Sequence, residues 1–357
     1  MYFCILMSTK MHCSEKIKNF ATFGERLNTY CQQGFPDKFE KAIDLSCQYN
    51  PWFTRENIIS AFQSIAASLT PDKIRKWFLS YGESLSEEPK NKVAVIMAGN
   101  IPMVGFHDLL CVLVSGNIFV GKLSSQDKFL LPAITEELIM INPLWKQYIV
   151  FTEDFLKDFD KVIATGSNNS SRYFDYYFGR YPHIIRKNRN SIAILTGDES
   201  HEELKLLAGD IFQYFGLGCR NVTKIFIPEK YDLSILENAL VFYKNRLYNH
   251  NKFMNNYDYH KSIFLMNSIP YLDFGYCLLR EDASIHSPIS VILYQYYNSI
   301  TDVLEIIEDT RDQIQCIVSK DNLIPQGISF GQSQKPELWD YADGIDTLQF
   351  LISSPKT

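Results

Sequence analysis

The chain has 357 residues, 46% hydrophobic and 21% charged, with a net charge of −6, the balance of one large or two ordinary soluble domains. No block of like charge points to nucleic acid or a membrane surface, and no apolar run reaches the length of a membrane-spanning helix. The eight cysteines are scattered, with no CxxC pair or Cys/His cluster of zinc-binding spacing, so they read as free thiols in a reducing, cytoplasmic compartment.

The opening MYFCILMSTKMHC has a short apolar stretch but no leading positive charges and no clear cleavage site, and Met11 makes a more natural beginning. From 11 to about 80, apolar residues recur at helical spacing, which predicts helices. After the polar SLSEEPKNK, the apolar run VAVIMAG reads as a buried strand ending in Gly99. VGFHDLLCVLVSGN is then a helix closed by Gly116-Asn117, IFVGKL a strand, and KFLLPAITEELIMIN a helix. The alternation continues through the strand QYIVF, a helix, the strand KVIATGS, another helix and the strand SIAILTG.

A helix over EELKLLAGDIFQYFG leads to Cys219 and the strand VTKIFIP. Beyond it come the helix LSILENALVFYKNRLYN, the strand SVILYQYY, the helix ITDVLEIIEDTRDQ and the strand QCIVSKD. This order predicts an α/β protein with open sheets wrapped on both faces and ligands beyond the carboxyl ends of the strands. The expected domains are a helical segment over 1–80 packing on a cofactor-binding α/β domain over 81–212, then a catalytic α/β domain over 213–330. The segment 331–357 either closes the fold or packs across a subunit interface.

Four places offer chemistry. Cys219, in FGLGCRNV, stands behind a glycine-spaced turn with Arg220 beside it; a cationic neighbour favours the nucleophilic thiolate, and the glycines leave the sulfur open to a bulky ligand. An inert cysteine in a turn satisfies the same pattern. Asn100, in MAGNIP, can aim an amide N–H at a developing oxyanion or bond its own turn. Lys122, in VGKLSSQD, can hold ribose hydroxyls or a phosphate, or be a solvated lysine. Gly166 and Ser167, in ATGSNNSS, open a helix whose N–H groups suit a phosphate, or Ser167 simply caps it. The fingerprint GxGxxG is absent.

Taken in order, AGNIP, VSGNIFVGK, IATGS and FGLGCRNV followed by a strand resemble the aldehyde dehydrogenase superfamily, and within it the acyl-CoA reductases that supply fatty aldehyde to bacterial luminescence. The resemblance runs from about residue 11 to the end. It implies two Rossmann-like α/β domains with the active site at their junction and an acyl-CoA substrate. It makes Cys219 the nucleophile, Asn100 an oxyanion-hole residue with the Cys219 N–H, Lys122 a ligand of the adenosine ribose, and Gly166-Ser167 the turn under the cofactor's diphosphate.

Two departures refine the expectation. Ser125 stands where oxidising members carry a glutamate that would repel a 2′-phosphate, which favours NADPH as cofactor, with NADH as the alternative. Arg186 aligns with the glutamate that activates hydrolytic water, so a hydrolytic aldehyde dehydrogenase is disfavoured. Ser284 aligns with the glutamate that steadies the nicotinamide ribose. His286, ahead of His107 and His183, is a candidate proton donor. The rival readings are an acyltransferase or thioesterase using the same cysteine, and a non-catalytic relative. The resemblance leaves room for a homo-oligomer and for acyl-processing partner enzymes.

Overall fold

Two largely parallel sheets, one in each of two compact units, form the scaffold in a computed structural model that describes residues 11–82, 85, 91–320 and 323–353. The first unit is Met1–Lys187 with Glu337–Thr357, and the second is Asn188–Pro336.

Four helices lead the first unit: α1 (Cys13–Gln33), α2 (Asp37–Tyr49), α3 (Arg55–Ser68) and α4 (Pro71–Leu79). The Thr54 and Thr70 hydroxyls accept the N–H of Asn57 and Lys73, so each caps the helix that follows. The inward faces of α1 to α3 bury Phe23, Leu27, Phe39 and Phe62 completely. The alternating part follows: β1 (Lys92–Ile96), α5 (Phe106–Val114), β2 (Ile118–Lys122), α6 (Leu130–Ile141), β3 (Ile149–Phe151), β4 (Lys161–Thr165), α7 (Asn168–Phe178) and β5 (His183–Arg186). The five strands are all parallel, in the order β3-β2-β1-β4-β5. Val93 to Val95 on β1 and Val162 to Ala164 on β4 have no exposed surface, as central strands of a doubly covered sheet require. The strand order reverses between β1 and β4, which makes the crevice beyond their carboxyl ends the natural ligand position.

Residues 152–160, expected as a helix between β3 and β4, form none. The Thr152 hydroxyl accepts the Asp154 N–H at 3.1 Å, and Asp158 holds a left-handed φ of 55°. Such local bonding competes with a helical turn. β5 has no counterpart among the expected elements, because four residues make too short an apolar run.

The chain returns to the first unit at its end. The helix Thr347–Ile352 presents its carboxyl terminus to the buried Lys161, whose Nζ donates to the carbonyls of Phe350 and Leu351 at 2.9 Å and of Ser353 at 2.6 Å. Trp77 Nε1 donates to the Tyr341 hydroxyl at 2.7 Å, and Tyr81 donates to Asp346 at 2.8 Å.

The second unit runs β6 (Asn190–Ile194), α8 (His201–Phe212), β7 (Val222–Pro228), α9 (Leu233–Leu240), α10 (Lys244–Tyr248), α11 (Asn251–Met266), β8 (Leu272–Asp273), β9 (Leu278–Glu281), β10 (Val291–Tyr297), α12 (Ile300–Asp309) and β11 (Ile314–Ser319). Its order is β11-β6-β7-β10-β9-β8, with only β8 antiparallel to its neighbour. β6, which the sequence pattern assigns to the cofactor-binding domain ending at 212, pairs with β7 and β11. Strand pairing therefore divides the chain after Lys187. Among the described residues no helix is long and apolar enough to cross a membrane.

Candidate functional site

The carboxyl edge of the first sheet gathers five of the six candidate residues. β1 ends into the loop 97–105, where Asn100 is exposed. β2 ends at Lys122, and its following turn carries Ser125, also exposed. The two loops touch closely: a Cβ on Gly99 would stand 2.8 Å from the Ser124 Cβ and 2.9 Å from that of Gln126. Only glycine fits there. Lys122 Nζ donates to the Asp154 carbonyl at 3.0 Å and lies 5.7 Å from the centre of the Phe155 ring.

β4 ends at Thr165, and Gly166-Ser167 open α7. The Ser167 hydroxyl accepts the Ser170 N–H at 3.2 Å, so capping is one function of this side chain. A Cβ on Gly166 would meet the Ser170 Cβ at 2.9 Å and the Phe174 ring at 2.8 Å. The glycine thus lets the helix terminus sit hard against the strand end.

Cys219 belongs to the second unit. The residue is half-buried on the turn between α8 and β7. The turn is unusual: Tyr214, Phe215 and Gly216 are all left-handed, with φ of 53°, 59° and 76°. Each non-glycine residue there costs about 1–2 kcal/mol. Asn221, fully buried, holds the turn together. Its Oδ1 accepts the Gly218 N–H at 2.8 Å, while its Nδ2 donates to the carbonyls of Asp210, Ile211 and Gln213 at 3.1, 3.2 and 2.8 Å. Gly216 therefore serves backbone conformation, whereas the sequence reading assigns both glycines to access at the sulfur. Ser191 on β6 donates to the Cys219 carbonyl at 3.0 Å and contacts Cys316 Sγ at 2.9 Å. Burial first of all pushes the Cys316 thiol up to about 11, so it stays protonated.

The remaining candidates have ordinary partners. Arg186 is buried and donates to Asp108 at 2.6 Å and to the Thr347 hydroxyl at 2.9 Å. Burial opposes its charge, yet Asp108 keeps the guanidinium's pKa raised. His107 bonds the Leu338 carbonyl at 2.9 Å beside Trp77 and Tyr341, a clasp on the C-terminal segment. His183, at the amino end of β5, bonds the Tyr181 carbonyl. His286 is exposed, 3.3 Å from Asn190 Oδ1, and the Ser284 hydroxyl donates to the His286 carbonyl at 3.2 Å. Lys224, buried on β7 and lowered to about 8 by that burial, donates to the Asp282 carbonyl and to Gln295, holding this loop. Among the described residues no cluster of His, Cys, Asp or Glu suits a metal ion.

Asn50, Asp127, Ser191 and Asn221 escape sequence reading. Asn221 alone leaves a local signal, an asparagine three residues past Gly218 that can fold back on the turn.

This is the aldehyde dehydrogenase fold. Similar solved structures include an indole-3-acetaldehyde dehydrogenase complexed with NAD+ (TM-score 0.64, 14% identity, covering 88% of this chain and 73% of that one). An oxidoreductase from Marinobacter aquaeolei is similar too (0.65, 11%, 90% and 76%), as is an NAD+ complex of an aldehyde dehydrogenase from Bacillus cereus (0.60, 14%, 88% and 73%). No curated protein sequence matches the chain significantly. The chain belongs to the acyl-CoA reductase (LuxC) family, whose model matches residues 36–245.

Proposed function

We propose that the protein reduces a fatty acyl-CoA to the aldehyde through an acyl thioester on Cys219, with NADPH as reductant. One observation supports this above the others. Within the stretch matched by the family, the two strands flanking the reversal of sheet order lead into the loop of Asn100 and into Gly166-Ser167, and Cys219 sits half-buried on a turn held by buried bonds.

The Cys219 thiolate attacks the thioester carbonyl carbon, and the oxyanion is met by the Asn100 amide and the Cys219 N–H. The carbon–sulfur bond to coenzyme A breaks, CoA leaves as its thiolate, and the acyl group stays on Cys219. A bound reduced nicotinamide dinucleotide supplies the hydride for this carbonyl. The resulting thiohemiacetal oxyanion is held by the same two donors, and its collapse releases the aldehyde and restores the thiolate.

The chain's edge residues fit such a dinucleotide. The N-terminus of α7 with Gly166 beneath it suits the diphosphate, Lys122 the ribose, and Ser125, without a carboxylate, a 2′-phosphate. The NAD+ of the similar aldehyde dehydrogenases agrees with this class of cofactor. Arg186, engaged by Asp108 and Thr347, supplies no base for water at the acyl-enzyme.

A fluorescent acyl-CoA is expected to label the protein, and Cys219→Ala to abolish the label. NADPH absorbance is expected to fall only with acyl-CoA present, and faster than that of NADH. Undiminished labelling of the variant discards Cys219 as nucleophile; CoA release without cofactor consumption indicates an acyltransferase or thioesterase.

A further inference from the structure

Asn50 closes α2 and is 1% exposed. Its Oδ1 accepts the Trp52 N–H at 3.1 Å, which fixes the amide's orientation. Nδ2 is thereby turned to two backbone carbonyls, those of Gly99 at 3.4 Å and Gln126 at 3.3 Å. These belong to the two loops that follow β1 and β2. Asp127 makes the second tie. Buried at 6% exposure, its Oδ2 accepts the Met103 N–H at 2.7 Å. Met103 holds a left-handed φ of 57°, a conformation that disfavours a residue with a Cβ and needs such a partner. The residues on either side of the Asn100–Pro102 bend are thus each bonded to a side chain withdrawn from solvent.

We infer that Asn50 and Asp127 are positioning residues, which hold the loop 99–103 so that the Asn100 amide keeps one place at the sheet edge. This rests on the reading of Asn100 as an oxyanion donor. The chemistry at Asn50 is specific. An aspartate of the same shape still accepts from Trp52 but sets a carboxylate oxygen against two carbonyls. A donor displaced by about 1 Å loses about a hundredfold in rate, an effect expected in the rate of acylation rather than in half-saturation by acyl-CoA.

The test follows acylation of the full-length protein by a fluorescent acyl-CoA in a single turnover without dinucleotide, beside alkylation of Cys219 by iodoacetamide. Alkylation needs an accessible thiol and no oxyanion donor, so it separates a changed thiol from a changed oxyanion site, and an unchanged circular dichroism spectrum reports the fold. Asn100→Ala sets the scale, slowing acylation about a hundredfold. Asn50→Asp and Asp127→Ala are expected to slow acylation at saturating acyl-CoA by at least about tenfold, with half-saturation and alkylation unchanged. Asp127→Asn, which retains an oxygen acceptor for the Met103 N–H, is expected to restore most of the rate. Normal acylation in Asn50→Asp and Asp127→Ala beside a slowed Asn100→Ala overturns the positioning role and leaves the oxyanion reading standing. Normal acylation in Asn100→Ala, or none in the unmodified protein, overturns that reading and the positioning role with it.

Discussion

Asp127 sits under opposed demands. Burial raises its carboxyl from the ordinary 3.8 to about 6, even though the N–H groups of Met103 and Leu130 favour the charged form. The folded state therefore binds this proton more tightly than the unfolded chain does. Stability from this group is greatest at low pH and falls as pH rises from about 4 to about 6, a loss near 3 kcal/mol once complete. Asp127→Asn removes the ionisation and is expected to be up to about 3 kcal/mol more stable at pH 8, with the gain roughly halved at pH 5. Denaturant unfolding at the two pH values checks this, and an equal gain at both would contradict it. The contrast with Cys219 and Asn100 shows what was legible. Those two stand in short stretches whose neighbours, Gly99, Pro102, Gly218 and Arg220, announce a turn beside a strand. Asn50 announces nothing, because the carbonyls it bonds lie 49 and 76 residues away in the chain.

The alternation of strands and helices was readable because central strands such as Val93–Val95 and Ile192–Ile194 are apolar on both faces and lack exposed surface. Edge pieces were not. The four-residue strands β5 and β9, the two-residue β8 and the weakly patterned α11 leave no clear period in the sequence. The left-handed run Tyr214-Phe215-Gly216 is equally hidden, since two aromatic residues argue against it and the amide of Asn221 enforces it. The pairing of β4 with α7 yields a prediction at this scale. In Gly166→Ala the new methyl collides with Ser170 and Phe174, so the amino end of α7 must move outward at a cost of about 1–3 kcal/mol. The expected result is a lower melting temperature and a raised KM for NADPH, with acylation of Cys219 by acyl-CoA unchanged. An unchanged KM with the stability loss present would detach the α7 terminus from the dinucleotide.

The first unit is discontinuous in sequence, and the charges it buries explain why its last piece is required. Lys161, 1% exposed, gives Nζ to three carbonyls of residues 350–353, where the carboxyl end of a helix also attracts a cation. Arg186 takes one of its partners, Thr347, from the same segment, and Trp77 and Tyr81 take theirs from Tyr341 and Asp346. Deleting residues 337–357 leaves a buried ammonium without its acceptors, along with several unpaired donors. Each orphaned polar group costs about 1–3 kcal/mol and the charge more, which together rival the 5–15 kcal/mol that holds a typical domain. The second unit draws none of its strands from that segment. The truncated chain is therefore expected to lose hydrogen-exchange protection throughout β1, β2 and β4 while β6, β7 and β10 keep theirs. Adding a peptide of residues 337–357 is expected to restore protection to the first sheet, since its acceptors return to Lys161. If the truncated protein instead protects both sheets as the full chain does, the buried cation is not what ties the C-terminal segment to its unit.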